Sequence, residues 1–540
     1  MLETRKIFLV MLPLVIAIFL RVTPFLLSGL PFSVDSWPPI KYVETLLEKT
    51  PVDLRGEAFG LFNKTVGLEQ LGNRLFGAII SSIIGLQPMT IMSIYLPIVG
   101  AMTILIFYAF IRDIYGGAAP FAASILLAAA IPDVLLTAGV KGETYAHPLY
   151  MALIMLSLSK SIPFWKKTIL FSLVGLSLAL THYYTAILIT AALASMGTAF
   201  ITLRWKKGKD FEGRILILPL ILGLLTIIYL LYYANWSLSF ISSIDWLSAA
   251  SHQILFFTIS LYLMLKPSSA SRAKLLFSCL SAALLPLFLV FIAVKRSITS
   301  GAPTLPPHYV IYAAPFIMAM PLVTIGYREA KRVGDERAIL PLSWLAVILG
   351  LESYAIFGST EGLALTLIYR GLVFLLPPLF ALCAMGINKL LEGNTRKLTK
   401  ASAAVILMAI IILNLYSFYA AIFMQERYMG YFWLYRIPEY KAGAWISSIH
   451  DNKTITGDVK YAYLLRHYFG LKYDEFNGLL FLSGKRKLET DALITYDLMA
   501  RNGYVVYGGY SVDLPGRWME RIYDLSLVYS NGVVNIHAQK

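Results

Sequence analysis

The chain has 540 residues, of which 58% are hydrophobic and 14% are charged. Its mean hydropathy is +0.69. Soluble proteins carry about a quarter charged residues, so this composition excludes a soluble enzyme and predicts an integral membrane protein. The net charge of +15 does not call for nucleic acid as a partner, because polytopic membrane proteins collect lysine and arginine in their cytoplasmic loops.

About thirteen apolar stretches approach the roughly 20 residues that a helix needs to cross a bilayer. The predicted spans are 7–27, 88–111, 118–138, 149–158, 168–180, 186–203, 215–233, 253–266, 275–294, 310–327, 339–357, 371–390 and 401–424. The first stretch has no small-residue cleavage site, so we expect a retained span rather than a cleaved signal peptide.

The charges of the loops predict how the spans are oriented. If the N-terminus is cytoplasmic, the loops that carry several lysines or arginines are cytoplasmic as well: 160–167, 204–214, 266–274, 328–337 and 389–400. The positive-inside rule therefore favours this orientation, and an odd number of spans places the C-terminus outside the cytoplasm. The glycosylation sequons at Asn63, Asn235 and Asn452 fall on the predicted outer side.

The composition becomes that of a soluble protein from about residue 425. Periodicity predicts helices at 438–449 and 458–469 and short strands at 454–457, 492–496, 505–508 and 533–536. No nucleotide-binding glycine motif occurs in this region. We therefore predict two domains, a helical membrane domain at residues 1–425 and a small extracytoplasmic α/β domain at residues 426–540.

A polar segment of about 55 residues, 31–85, separates the first two long apolar stretches. It begins with Pro31-Phe32-Ser33-Val34-Asp35-Ser36-Trp37-Pro38-Pro39. A carboxylate at a membrane exit, in a loop too long for a simple connector, indicates a function for Asp35. The simpler interpretation is that Asp35 caps the helix that follows it.

Further ionisable groups fall on the predicted outer side or at membrane depth: Glu143, His182 next to Tyr183, Arg370 and Arg21. Charged groups at membrane depth are costly unless they are paired or line a polar cavity. Their common side predicts one shared, outward-facing cavity.

Each of these residues also has a structural interpretation. Glu143 could cap a helix, His182 could belong to an interfacial aromatic belt, and Arg370 could be a snorkelling anchor. Glu352 lies inside a span, and a buried ion pair with lysine or arginine is the interpretation we favour for it.

Taken in order, these features resemble the GT-C superfamily of polytopic glycosyltransferases, which includes oligosaccharyltransferase catalytic subunits and protein mannosyltransferases. The resemblance rests on Phe32-Ser33-Val34-Asp35, the run Tyr95-Leu96-Pro97-Ile98-Val99-Gly100 leading to Ala109-Phe110-Ile111-Arg112, Glu143, the corner Thr181-His182-Tyr183, and Arg370 before a late span.

The resemblance implies a GT-C-like fold of about 13 transmembrane helices and transfer of a sugar from a polyprenyl (dolichyl) phosphate carrier to an acceptor hydroxyl at the outer membrane face. It implies that Asp35 acts as general base or helps to hold a divalent metal, and that Glu143 is the second acidic catalytic residue. The implied substrate-binding residues are Arg370, His182, Arg21 and Tyr183. The expected partners are the lipid-linked sugar, a glycan, lipid or protein acceptor, and membrane lipid, at the cell membrane.

The chain departs from the family in two places. The outer domain has no Trp-Trp-Asp-Tyr-Gly, and Gly142-Glu143-Thr144 offers one acid where a paired Asp-x-Asp would be expected. We therefore expect a single-sugar transferase. A requirement for Mg²⁺ or Mn²⁺ stays open, because either ion needs two or more oxygen ligands and the second loop offers one acid. The alternatives are metal-dependent, oligosaccharyltransferase-like transfer to protein, a flippase for lipid-linked sugars, or a non-catalytic scaffold.

Overall fold

The computed structural model describes residues 2–48, 71–210, 212–234, 242–267, 271–298, 302–392, 396–449, 453–506 and 509–539. The three sequons, at Asn63, Asn235 and Asn452, lie outside the described residues. So do residues 49–70 of the predicted first loop and the end of the strand predicted at 505–508.

In its described residues, the membrane part of the chain has helices as its only regular structure. Its helices are α1 Leu2–Ser28, α2 Trp37–Glu48, α3 Leu71–Ile84, α4 Pro88–Ala101, α5 Thr103–Ile114, α6 Ala119–Ala129, α7 Ile131–Thr137, α8 Gly142–Leu158, α9 Phe164–Thr181, α10 Tyr183–Lys206, α11 Ile217–Tyr232, α12 Trp246–Leu265, α13 Arg272–Lys295, α14 Val310–Ala330, α15 Pro341–Phe357, α16 Glu361–Glu392 and α17 Lys397–Ile422.

Within the described ranges, 11 helices are long and apolar enough to cross a membrane, and the pair α6 and α7, bent by 60°, is a twelfth candidate. The remaining predicted span, 149–158, lies in α8, which has 17 residues. Residues of α13 such as Phe277, Leu284 and Phe288 are exposed, which is expected of a helix that faces lipid. The structure thus confirms the predicted polytopic helical fold.

Helix α8 connects the two ends of the bundle. It begins at Gly142, and its last carbonyl, that of Leu158, accepts a hydrogen bond of 2.9 Å from Arg337 Nη1. At this end Lys160 contacts Asp335 at 2.9 Å. The ion-paired basic loops therefore lie at the opposite end of the bundle from the segment around residue 142.

The C-terminal domain, residues 437–539, is built on a mixed sheet. Its strands are β1 Thr454–Thr456, β2 Lys472–Asp474, β3 Ala492–Tyr496, β4 Tyr504–Val505, β5 Ser511–Val512, β6 Ser526–Ser530 and β7 Val534–Ala538. Its helices are α18 Ile437–Ile449, α19 Val459–Ala462, α20 Asn477–Leu482 and α21 Met499–Asn502.

Five strands form the main sheet in the order β2-β1-β3-β7-β6. Strand β1 is parallel to β2 and β3, whereas β7 runs antiparallel to β3, with Ile494 opposite Ile536. The predicted small α/β domain is thus confirmed. The helix predicted at 458–469 is α19 followed by a π-helical turn, Tyr463–Tyr468. Sequence analysis missed β2 and β6, which are short or exposed edge strands.

The segment after α1 joins this domain to the membrane bundle. The Trp37 indole is fully buried, stacks on Tyr440 with 5.8 Å between ring centroids, and meets the Tyr435 ring edge-on at 5.1 Å. The Ser33 amide donates a 2.8 Å hydrogen bond to the carbonyl of Trp433. Residues 30–37, which we call the first-loop segment, therefore belong to the core of the C-terminal domain as much as to the bundle.

The buried carboxyl of Asp458 should make the stability of the domain depend on pH. It accepts hydrogen bonds from the Tyr496 hydroxyl and from the Tyr461 amide at 3.2 Å. Burial raises the pKa of Asp458 to about 6, although the Lys460 charge opposes this rise. The folded state therefore keeps a proton that the unfolded chain loses near pH 4. As a result, the free energy of unfolding decreases by about 3 kcal/mol as the pH rises from about 4 to 6.

We expect Asp458→Asn to remove this dependence, because an amide resembles the protonated acid in shape. Melting temperatures of the full chain in detergent, followed by tryptophan fluorescence from pH 4 to 8, would test it. An equally steep pH dependence in wild type and variant would contradict the assignment to Asp458.

Candidate active site

The backbone around Asp35 is held in an unusual conformation. Ser33 has φ +79°, in the left-handed region that side chains other than glycine rarely adopt. Its hydroxyl accepts a 3.4 Å hydrogen bond from the Asp35 amide. Next along the chain, the Ser36 hydroxyl accepts a 2.8 Å bond from the amide of Val140. Such a strained conformation persists only where surrounding contacts hold it in place. Here these contacts fix the backbone from which the Asp35 side chain projects.

The carboxylate of Asp35 faces a cation. Its Oδ2 lies 3.3 Å from Nζ of Lys141; the Lys141 side chain is 7% exposed and that of Asp35 33%. The ammonium also lies 5.8 Å from the centre of the Trp433 ring. The cap of the short helical turn before α2 is Ser33, and no hydrogen bond between the Asp35 carboxylate and the α2 backbone occurs in the described structure. The capping interpretation is therefore not supported.

Asp35 and Arg370 open into the same space. A cavity of about 470 Å³ lies between the membrane bundle and the C-terminal domain. We call it the carboxylate cavity. Its walls include Val34, Asp35, Ala302, Leu305, Tyr369, Arg370, Tyr428, Phe432, Trp433, Tyr463 and Tyr510. Two of the residues singled out in the sequence, 335 positions apart in numbering, thus share one cavity.

The guanidinium of Arg370 has few protein partners. Its Nε donates a 3.0 Å hydrogen bond to the Tyr369 hydroxyl, whose ring centre lies 5.7 Å from the guanidinium carbon. Among the described residues no carboxylate lies within ion-pair distance of it, although Glu143 and Asp35 are close enough to act on its charge. Its remaining donors can therefore take an anion that enters the cavity.

Two acidic side chains lie near Arg370, Glu143, which is buried, and Glu352, which is partly buried. Glu143, in the first turn of α8, is 2% exposed. Glu352 of α15 lies against Gly371, where an added Cβ would come within 2.0 Å of Glu352 Oε1. One oxygen of each carboxylate has no hydrogen-bond partner within the described chain. The buried lysine or arginine partner that we expected for Glu352 is not among the described residues.

His182 caps a helix. Its Nδ1 accepts a 3.3 Å hydrogen bond from the Thr185 amide at the start of α10 and lies 2.6 Å from the Thr185 hydroxyl. The ring proton therefore sits on Nε2. Arg370 is close enough to act on His182 electrostatically. Tyr183 stacks on His182 at 6.5 Å but packs against an apolar cluster that contains Tyr229, so the structure does not bring Tyr183 to the wall of the carboxylate cavity.

Arg21 lies apart from the cavity. It is 1% exposed, donates a 2.7 Å hydrogen bond to the Thr137 hydroxyl, and forms an ion pair with Asp133. A second oxygen of Asp133 lies 3.5 Å from His147 Nε2. Because Arg21 also donates to the carbonyl of Ala128 at 3.4 Å, it ties α1 to the bend between α6 and α7. Its observed partners are thus structural.

Several residues of this region were missed in the sequence: Asp133, Lys141, Tyr369 and Trp433. Lys141 carried a signal, because it is the only lysine or arginine in the loop 139–148. Asp133 is a charge at membrane depth, as Arg21 is, and the same reasoning would have found it. Trp433 and Tyr369 carry no such signal, since aromatic residues are frequent throughout the chain.

No protein-family model and no curated protein sequence matches the chain. Its architecture is nevertheless that of the polytopic membrane proteins with the GT-C fold, as the sequence predicts. One similar solved structure is the archaeal oligosaccharyltransferase AglB from Archaeoglobus fulgidus in complex with an inhibitory peptide and a dolichol-phosphate, at TM-score 0.55 and 11% identity, with 92% of this chain and 70% of that chain covered.

The apo form of the same oligosaccharyltransferase gives TM-score 0.55 and 14% identity, with coverage of 98% and 74%. The apo structure of ArnT from Cupriavidus metallidurans aligns over 100% of this chain and 98% of that chain, but at TM-score 0.49 and 9% identity, which is too low to support an argument. At these identities the likeness to AglB establishes the fold and nothing finer.

The buried pair of Arg21 and Asp133 should contribute to stability rather than to substrate binding. Arg21→Met leaves an uncompensated buried carboxylate, so we expect a loss of about 3–5 kcal/mol. The double variant Arg21→Met/Asp133→Leu should recover most of it, because both charges are gone. Thermal melting of the purified variants measures this. A lower affinity for substrate with an unchanged melting temperature would show that Arg21 is a binding residue instead.

Proposed function

We propose that this protein is a membrane glycosyltransferase that moves a sugar from a polyprenyl-phosphate carrier to an acceptor hydroxyl at the outer membrane face. The observation that carries the proposal is the shared cavity, in which a carboxylate, Asp35, and an available guanidinium, Arg370, occur together. The GT-C fold supports it, and so does the AglB structure, whose complex contains a dolichol-phosphate.

A path for the isoprenoid tail leads to this cavity. A groove of about 950 Å³ on the lipid-facing side of α13 is lined by Leu284, Phe288, Phe291 and Val294. It shares Val294 and Pro307 with a neighbouring polar cavity of about 550 Å³. That polar cavity shares the stretch around Pro303 with the carboxylate cavity. An apolar tail in the groove would place its phosphate toward Arg370.

The chemistry requires an acceptor proton to be removed and a phosphate to be stabilised as it leaves. Asp35 takes the proton from the acceptor hydroxyl as the acceptor oxygen bonds to the anomeric carbon. The bond between that carbon and the phosphate oxygen breaks, and the electron pair leaves with the phosphate. Arg370 stabilises this anion, because a guanidinium can donate two parallel charge-assisted hydrogen bonds.

Glu143 and His182 have supporting roles beside Asp35 and Arg370. Glu143 is proposed as the second acidic residue, since it is buried and close enough to Arg370 to act on it electrostatically. His182 lies in the same electrostatic environment and offers its Nε2–H as a further donor. The polar cavity beside Arg427 and Asp513, which form a 2.6 Å ion pair, is suited to a hydroxyl-rich acceptor.

We expect Asp35→Asn to lower the rate of transfer by about 10²–10⁴-fold, because an amide cannot accept the proton. Purified protein would be given radiolabelled lipid-phosphate mannose, glucose or arabinose with hydroxyl acceptors and an asparagine-containing peptide. Release of polyprenyl phosphate is the readout. Glu48→Gln, an exposed carboxylate at the end of α2, is the control. Undiminished transfer by Asp35→Asn would remove Asp35 from the mechanism, and donor translocation without release would favour a flippase.

Arg370→Lys should keep the charge but lose the paired geometry. We expect kcat/KM for the donor to fall by about 10–100-fold, consistent with the loss of a charged hydrogen bond of roughly 1.5–3 kcal/mol. Arg370→Met should lose more. Arg332→Lys, at the opposite end of the bundle, serves as the control. If Arg370→Lys and Arg370→Met both kept the wild-type kcat/KM, phosphate recognition would have to lie elsewhere.

A further inference from the structure

We infer that the ammonium of Lys141 is the cation that orients Asp35, and that the site works without a divalent metal. This inference rests on the proposed function, which it makes more specific. The resemblance to the GT-C superfamily leaves open whether the site requires Mg²⁺ or Mn²⁺, which would be bound by oxygen ligands. Lys141 touches Asp35 rather than the cavity wall, so it is a positioning residue.

The surroundings of Lys141 hold its side chain in place. The ammonium lies between Asp35, at 3.3 Å, and the face of the Trp433 ring, at 5.8 Å. Gly139 makes this packing possible, because an added Cβ there would come within 3.0 Å of the Phe32 carbonyl and 3.1 Å of the Lys141 side chain. The Lys141 side chain is thus confined between the carboxylate of Asp35 and the ring of Trp433.

The described residues around Asp35 do not fit a divalent cation. Within the described ranges there is no group of three or more His, Cys, Asp and Glu side chains that could hold a metal ion. Asp35 Oδ2 already faces Lys141. A metal on Asp35 would have a buried ammonium next to it, and like charges at such a distance repel strongly. Hard cations also need more oxygen ligands than one carboxylate offers.

The pairing divides the two oxygens of Asp35 between two tasks. Oδ2 is fixed by Lys141, and Oδ1 is left for the acceptor hydroxyl that enters the carboxylate cavity. The Lys141 ammonium, which also lies over the Trp433 ring, therefore sets the direction of the general base, Asp35.

Two measurements on the purified full chain test this inference. The first titrates wild type and Asp35→Asn with Mn²⁺ and follows free Mn²⁺ by electron paramagnetic resonance, which requires no activity. The second assays transfer after removal of metals with EDTA. We expect no Mn²⁺ site that depends on Asp35, and transfer in EDTA within about 2-fold of the untreated rate.

Substitutions of Lys141 test its positioning role. Lys141→Met should lower transfer by roughly 10–100-fold, as expected when a reacting group loses its alignment. Lys141→Arg, which keeps the charge, should restore most of the activity. Lys41→Met, which removes a half-exposed lysine ion-paired to Glu44 at 3.5 Å, should leave transfer unchanged. If Lys141→Met folds and Lys141→Arg transfers no faster than Lys141→Met, the charge-based role would be contradicted.

A stoichiometric Mn²⁺ site in wild type that is lost in Asp35→Asn would overturn the inference, as would transfer that EDTA abolishes and Mn²⁺ restores. Those results would leave the proposed function intact. Absence of transfer from every donor would count against the proposed function instead, while the Mn²⁺ titration would still decide the metal question. If Lys141→Met does not fold, the Mn²⁺ titration and the EDTA assay still decide the metal question. Transfer by Lys141→Arg then tests the positioning role, and a loss as large as that of Asp35→Asn would contradict it.

Discussion

The site depends on the docking of the first-loop segment onto two other parts of the chain. Ser33 is bonded to the backbone of Trp433, and Ser36 to the amide of Val140. Asp35, between them, is paired with Lys141. One short segment thus joins the bundle to the C-terminal domain, closes one wall of the carboxylate cavity and sets the direction of the carboxylate. The strain at Ser33 is tolerated because contacts on both sides hold it.

Buried charges in this protein fall into two classes. Some are satisfied by partners, such as Arg21 with Asp133, or Lys460 with Glu439, which are 3.0 Å apart and fully buried. Others, such as the buried Glu143 and the partly buried Arg370, have incomplete partners in the described structure. Burying a charge costs free energy unless partners compensate it, so incomplete partners beside the carboxylate cavity are consistent with a ligand that supplies the missing interactions. This distinction separates the site from the scaffold.

The spans, the small C-terminal α/β domain and the position of Asp35 after the first span could all be predicted from the sequence, because apolar length and the period of two in strands are local properties. The 60° bend between α6 and α7 was not predicted, although Pro132 in the first turn of α7 is a local signal for a break there. Strand β6, in contrast, carries little local signal. Its exposed Leu527 and Val528 show no buried alternation, and pairing with β7 defines it.

The sequence by itself determined that this is a polytopic membrane protein with carboxylates and cations in its loops and at membrane depth, because composition and the cost of membrane-depth charge act residue by residue. Only the tertiary structure decided which of these charges meet. It brought Asp35 and Arg370 to one cavity, paired Asp35 with Lys141 and assigned Arg21 to the scaffold. Ion pairing depends on distances between residues remote in the chain, and no local pattern encodes those distances.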